Sequence, residues 1–391
     1  MYYKKKDLAA LRKSLVINLT IPLDIKTPRV VKQAKNAQIL TDFDNLPKQR
    51  FNRRKLANAM KRLSRAKNSV IWHRNAHLIN MFDLSWQVKG ILSRKFYNGD
   101  IYTNGYIKMT EMCYRFHNQL FHRNRSISAL FLAEYPGYFS QAVKHYCEQH
   151  DIALTYKVQS LDPDESNNAL PISPNLIDEF RNHMIKIDGY NGDLTIPDIT
   201  KYFKLFRLRK DKVSLCIADG GIPIGTRYDS QEQLHYKLFA GEIAVAINAL
   251  AEHGTFIMKT YHLTTITSFA LILALRRNFS SILLYKPKTS RSRNDEKYVI
   301  CTGFKANKVN IRLTTEALLS LLNRTDDIPD DWSPFIITDD TYTTLSDASL
   351  RFIDMQCAFL HMLDLQTHGK ELFKLPRRFV WNYINTYFKG V

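Results

Sequence analysis

Three ionisable residues stand where ordinary packing would not place them. The run Leu215-Cys216-Ile217-Ala218-Asp219-Gly220-Gly221 reads as an apolar strand ending in a carboxylate and two glycines, and Thr255-Phe256-Ile257-Met258-Lys259 as an apolar strand ending in an ammonium. Lysine is a poor choice for a buried strand end unless something requires it. The third, Glu296, follows the basic segment Lys286 to Arg293 and stands just before a last apolar run, Tyr298 to Thr302. In open α/β sheets ligands lie outside the carboxyl ends of the parallel strands. An antiparallel last strand begins at that same edge, which would bring Glu296 near Asp219 and Lys259 despite their separation in sequence.

Two loops belong at the same edge. Glu134-Tyr135-Pro136-Gly137-Tyr138-Phe139 follows a strand and opens a helix, with glycine allowing close approach of the backbone to a ligand. The short polar residues of Asp188 to Thr195 suit a purine edge or a ribose. Taken singly, each is equally an ordinary turn. Neither a G-x-G-x-x-G pattern nor a P-loop is present, so those nucleotide-binding modes lose support.

The elements that must position these residues are short apolar runs separated by helical stretches, the mark of a parallel α/β sheet. The candidate strands are Ala129 to Ala133, Ala153 to Val158, Met184 to Ile187, Val213 to Ala218, Thr255 to Lys259, Ile282 to Tyr285 and Tyr298 to Thr302. Together they predict a seven-stranded, mostly parallel sheet with the last strand antiparallel. Ser230 and Gln233 form a capping-box pattern ahead of the helical spacing Leu234, Leu238, Ile243 and Ile247. Three segments follow: a basic, mostly helical stretch over 1–95, with Leu56, Met60 and Leu63 at helical spacing; the α/β core over 96–305; and a helical extension over 306–391, with helices expected over Glu316 to Leu322, Ala348 to Leu365 and Phe379 to Tyr387.

Charge is unevenly placed. Of the net +19, +15 falls between Met1 and Arg74, where 19 Lys/Arg face 4 Asp/Glu. Such a field attracts a polyanion, although a solvated tail or a localisation signal has the same composition. The five cysteines, Cys113, Cys147, Cys216, Cys301 and Cys357, form no C-x-x-C pair, so neither a disulfide framework nor a metal site is expected. No signal-peptide core and no apolar run of membrane-spanning length is found, so a soluble intracellular protein with no membrane partner is expected.

Several short motifs, in order, carry a family resemblance: Ile107-Lys108-Met109, Glu134-Tyr135-Pro136-Gly137, Asn191-Gly192-Asp193, Ala218-Asp219-Gly220-Gly221, Met258-Lys259, and Lys286-Pro287 through Ser290-Arg291 and Asn294 to Glu296-Lys297-Tyr298. From about Tyr97 to Phe304 the chain resembles the FtsJ-like ribose 2′-O-methyltransferases, and among them the Adrift-type cap methyltransferases, including those encoded by large cytoplasmic DNA viruses. The resemblance implies a Rossmann-like fold that binds S-adenosyl-L-methionine, and a catalytic tetrad of Lys108, Asp219, Lys259 and Glu296. It assigns Glu134, Pro136 and Gly137, with Tyr135, Tyr138 and Phe139 around them, to the methionine side of the cofactor, and Asp193 to its adenine; Asp219 borders both the cofactor and the substrate. This chain has Tyr138 where the family usually has a second glycine. The resemblance also implies capped mRNA as substrate, in the cytoplasm if the enzyme is viral and in the nucleus if cellular, with a capping-complex subunit as a further partner.

The tetrad makes chemical sense in its own right. A ribose hydroxyl is a weak nucleophile that must be aligned and relieved of its proton. Lysine, with an ordinary pKa of about 10.4, is protonated at neutral pH, so Lys259 as general base needs that value lowered. Burial and a second ammonium, Lys108, push it down, whereas Asp219 and Glu296 oppose them. The sign stays open at the level of sequence. Candidate RNA contacts are Lys204, Arg207 and Arg209 in one segment and Lys286, Arg291 and Arg293 in another. Among the first set, Tyr202, Phe203 and Phe206 could stack bases or anchor the helix in the core. Trp72, Trp86, Tyr106 and Tyr228 are the aromatic candidates for a cationic cap base. A structured-RNA methyltransferase and a non-catalytic RNA-binding subunit are the rival readings.

Overall fold

Seven strands form one sheet in the computed structural model, which describes residues 19–28, 47–72, 76–81, 83–95, 103–121, 125–161, 174–225, 227, 230–370 and 374–388. They are β1 (Leu19–Pro22), β2 (Ser126–Leu132), β3 (Ala153–Val158), β4 (Val213–Ala218), β5 (Leu250–Thr260), β6 (Phe279–Lys286) and β7 (Lys297–Phe304). Their order is β1-β6-β7-β5-β4-β2-β3. The strands β2, β3, β4, β5 and β6 share one direction, while β7 and β1 run against them.

Strand side chains alternate between faces, and here both faces are covered, which is why the central strands are apolar throughout. Leu130, Leu132, Cys216, Ala218, Phe256 and Met258 enter one core with the helices Tyr236–Ala249, Ile266–Asn278, Lys308–Leu322 and Asp339–Thr367. Their neighbours Ala129, Phe131, Leu215, Ile217 and Ile257 enter the other, with Leu84–Lys95, Asn104–Arg115, Tyr138–Gln149 and Arg377–Tyr387. The result is a three-layer, Rossmann-like sandwich.

Three expectations change. Met184 to Ile187 is not a strand: it makes an isolated pairing between Val158 and Met184 before the chain turns at Gly189, whose φ is +66°. The seventh strand is instead β1, a four-residue piece antiparallel to β6, with Pro22 at the sheet edge where its missing N–H is tolerated. The basic stretch is therefore partly woven into the sheet. Ser230 makes no capping bond, and the helix expected after it breaks at His235 into Gln231–Leu234 and Tyr236–Ala249.

The Pro47–Ser69 helix buries Leu56, Ala59 and Leu63. Its charges face the Asp339–Thr367 helix through Arg62–Asp354 at 2.8 Å and Lys55–Asp347 at 3.6 Å. Part of the basic excess thus complements an acidic helix face. Among the described residues no helix is long and apolar enough to cross a membrane, no group of His, Cys, Asp or Glu could hold a metal ion, and the five cysteines are free thiols.

Candidate active site

The antiparallel β7 does what its position requires. Lys259 pairs with Tyr298 in register across β5 and β7, so the end of β5 and the start of β7 lie together at the edge where β4 ends. Glu296 and Tyr298, two residues apart, point to the same face. Lys108, on the Asn104–Arg115 helix, reaches them from above the sheet: its Nζ lies 2.7 Å from Glu296 Oε1 and donates to the Tyr298 hydroxyl at 3.1 Å. That hydroxyl donates to Asp219 Oδ1 at 3.0 Å. Lys259 Nζ completes the chain, donating to the Asp219 carbonyl at 2.8 Å and lying 3.3 Å from Asp219 Oδ1. All four expected residues are in one network, joined by Tyr298, to which the sequence reading had given no role. The period of two from Glu296 could have pointed to it.

Electrostatics settles the open sign for Lys259. Burial favours loss of its proton, but the negative charge of Asp219, followed by Tyr261, Glu296 and Glu242, outweighs burial and holds the ammonium above its ordinary range. Lys108 instead pairs with Glu296, whose carboxyl is driven upward by burial yet brought to about 2 by Lys108, Lys259 and Lys286. As it stands the site is two ammonium groups held by two carboxylates. Glu242, which sequence reasoning missed, sits beneath: burial lifts its carboxyl to about 8, and its Oε1 accepts from Gly220 N–H at 3.1 Å. A β-carbon at Gly220 would lie 2.2 Å from that oxygen, which is why glycine follows Asp219.

The cofactor candidates lie on the turn that follows β2 and on the loop around Gly192. Glu134 Oε1 accepts from the Phe139 and Ser140 amides, both at 2.8 Å, so it occupies the amino end of the Tyr138–Gln149 helix. Burial lifts its carboxyl to about 8 against those two bonds. Gly137 adopts φ +106°, which side chains disfavour. Tyr135 packs edge-on to Phe180, and half-buried Tyr138 lies beside Gly105 of the Lys108 helix, part of the same packed cluster as Phe139. Asp193 is half-buried, its Oδ1 accepting from Thr195 N–H and hydroxyl. Gln159, unforeseen and fully buried, ties the loops together: its Oε1 accepts from Ala133 N–H at 3.1 Å and its Nε2 donates to the Gly192 carbonyl at 2.7 Å.

The RNA candidates separate. Lys204 and Arg207 are exposed, while Tyr202 and Phe206 are core anchors, with Phe203 packed against that core. The side chain of Arg209, and Tyr228, lie outside the described residues. Lys286 is not a phosphate contact: it is buried, burial pulls its ammonium down to about 7, and it donates to the Ser290 hydroxyl, to Asn294 and to the Glu296 carbonyl. It shapes the loop from inside. Arg291 is exposed and pairs with Asp83 at 3.2 Å, and half-buried Arg293 lies over the Trp72 ring at 5.9 Å. Trp86 is exposed, while Tyr106 is buried and hydrogen-bonded to His145.

Residues 102–304 match the FtsJ-like methyltransferase family. The chain is 29% identical over 248 residues to the "Probable methyltransferase EP424R" of African swine fever virus, covering 60% of this chain and 56% of that one. It is 26% identical over 257 residues to cap-specific mRNA (nucleoside-2′-O-)-methyltransferase 2 of Drosophila melanogaster, covering 63% and 35% respectively. It is 34% identical over 146 residues to cap-specific mRNA (nucleoside-2′-O-)-methyltransferase 1 of Bos taurus, covering 36% and 17%. This chain thus spans little more than half the length of the viral relative and less of the other two.

Proposed function

The chain belongs to the FtsJ-like methyltransferase family, and from that premise we propose that it transfers the methyl group of S-adenosylmethionine to the ribose 2′-hydroxyl of a nucleotide at the 5′ end of capped mRNA. The observation that carries this reading is the continuous network Lys108–Glu296 and Lys108–Tyr298–Asp219–Lys259 at the edge of the sheet. The cap itself rests on the cap-specific relatives.

The crevice suits the cofactor by its charge. In a protein of net +19, the loops at this edge carry the acids Asp193 and Asp219, matching a ligand with an ammonium, a sulfonium and an adenosine that offers hydroxyl and amine donors, while Glu134, its carboxyl lifted by burial, contributes hydrogen bonding rather than charge. Glu134 and the turn through Gly137 would hold the amino-acid end, and Asp193 the adenosine. The bound cofactor supplies an electrophilic methyl group and a positive charge.

Lys259 and Asp219 then act on the hydroxyl. The Asp219 carbonyl and carboxylate fix Lys259 Nζ at the end of β5, and a ribose oxygen set against that nitrogen is oriented for in-line attack. As the hydroxyl attacks the methyl group that the cofactor would supply, its proton would pass to Lys259. The nitrogen must be neutral to take it. A second positive charge beside it and the exclusion of water both favour that form, against the balance in the free protein. Lys108 keeps Glu296 and Tyr298 in place and touches Lys259 only through them.

The RNA path proposed for this site runs over Lys204, Arg207, Arg209 and Arg291, with Lys286 withdrawn from it. A capping-complex subunit is proposed as a further partner for the segments outside 96–305. Incubating the protein with labelled cofactor and a short capped RNA tests the reading: label in a ribose-methylated nucleotide is expected, and label in a base, or none, refutes it.

A further inference from the structure

The segment between β6 and β7, Pro287 to Asp295, delivers Glu296 to the tetrad, and residues outside the family-matched stretch grip it. Asp295 and Glu296 are consecutive and face opposite sides: Glu296 points to Lys108, whereas Asp295 is buried on the other side. There Asp295 Oδ2 lies 2.6 Å from His262 Nε2 and 3.1 Å from Nζ of Lys67, near the end of the Pro47–Ser69 helix. Two residues earlier the same helix end makes a second contact. Trp72 Nε1 donates to the Lys67 carbonyl at 3.0 Å, and the Trp72 ring carries the Arg293 guanidinium. The Asp339–Thr367 helix adds a third, Gln356 Nε2 donating to the Arg293 carbonyl at 2.7 Å.

The near end of the segment is held as well. Fully buried Glu111, one helical turn beyond Lys108, accepts from Tyr285 and Tyr383 hydroxyls at 2.6 and 2.7 Å and from Lys288 N–H at 2.8 Å. Tyr383 belongs to the Arg377–Tyr387 helix. The segment is therefore fastened at both ends by elements flanking the α/β core.

We propose that Lys67 is a positioning residue: through its ion pair with Asp295 it fixes the backbone that presents Glu296, coupling the basic Pro47–Ser69 helix to methyl transfer. The ion pair is more than a surface contact, since Lys67 is 20% and Asp295 4% exposed at the side chain. It has little water to replace it, and the buried Asp295 carboxylate loses a charged partner when Lys67 is removed. An ångström of displacement at a reacting group can cost about a hundredfold in rate.

This inference rests on the proposed methyl transfer, so its test has two readouts. Lys67→Met and Lys67→Arg are compared with wild type by single-turnover methyl transfer to capped RNA at saturating cofactor, and by backbone amide exchange over residues 288–296. Lys67→Met is expected to slow transfer by about tenfold or more and to speed exchange in that segment, with cofactor affinity unchanged by calorimetry. Lys67→Arg is expected to restore both. Wild-type exchange and rate in Lys67→Met overturn the proposal. So does a loss in Lys67→Met that Lys67→Arg leaves unrescued. If wild-type protein methylates no RNA, the functional reading fails, and the exchange comparison still decides the coupling.

Discussion

Replacing Asp219 by asparagine should shift the pH dependence of the enzyme to lower pH. Asp219 is the largest influence keeping the proton on Lys259, and asparagine removes the charge while keeping the shape, the backbone carbonyl that binds Lys259 and an acceptor for Tyr298. At the 3.3 Å separation, an effective dielectric constant of about 20 gives an attraction of about 5 kcal/mol. The Asp219 side chain is 21% exposed, and solvent reduces this to the range usual for one close opposite charge, about 1 to 3 pH units. In the wild type Lys259 is held above its ordinary value, so in the free protein fewer than about one molecule in 10³ carries the neutral amine at pH 7. The rate should climb about tenfold per pH unit on the acid side. Single-turnover transfer at saturating cofactor and RNA, from pH 6 to 10, gives the midpoint in each protein. A midpoint lower by about 1 to 3 units in Asp219→Asn is expected. An identical midpoint, or a wild-type rate independent of pH, would refute the assignment of Lys259 as the base.

Other outcomes follow from single contacts. Tyr298→Phe removes the hydroxyl shared by Lys108 and Asp219; losing hydrogen bonds to charged groups, at about 1.5–3 kcal/mol, should cut the transfer rate about 10- to 150-fold while circular dichroism stays unchanged. Glu134→Ala leaves the Phe139 and Ser140 amides without their acceptor and loosens the turn proposed to hold the cofactor, so calorimetry should show the Kd for S-adenosylmethionine rising about tenfold or more. Gly192→Ala would set a β-carbon 2.1 Å from the Ser160 carbonyl oxygen at φ +87°. It should lower Tm clearly more than Gly189→Ala, where φ is +66° and the space is open, a change expected to cost only about 1–2 kcal/mol.

The sheet was legible in the chain because its central strands are buried on both faces and read as unbroken apolar runs. Six of the seven expected strands were found. The exception, Met184 to Ile187, is interrupted by Lys186 and makes only isolated pairings, and β1 was missed because four residues ending in a proline carry almost no periodicity. Asp219, Lys259 and Glu296 were legible for a different reason, whereas Lys108, on a helix, was reached only through the family resemblance. Charges at the ends of apolar strands are conspicuous, and reversal of the last strand is what brings Glu296 to the others. Connections made across the fold were not legible. Nothing in the sequence singles out Lys67, and Lys286 reads there as a phosphate contact; in the fold one pairs with Asp295 in the segment that presents Glu296, and the other shapes that segment from inside. Nor could spacing alone weigh burial of Lys259 against its anions, since that balance depends on distances.

The central claim is that this edge of the sheet methylates a ribose at a capped 5′ end. Mass spectrometry of nuclease digests, after reaction with matched capped and uncapped RNAs, tests it most directly. A 2′-O-methylated nucleotide near the cap in the capped RNA, absent with Lys259→Met, is the expected result. Equal methylation of the uncapped RNA would contradict the cap assignment, and methyl groups on bases would contradict the chemistry assigned to the tetrad.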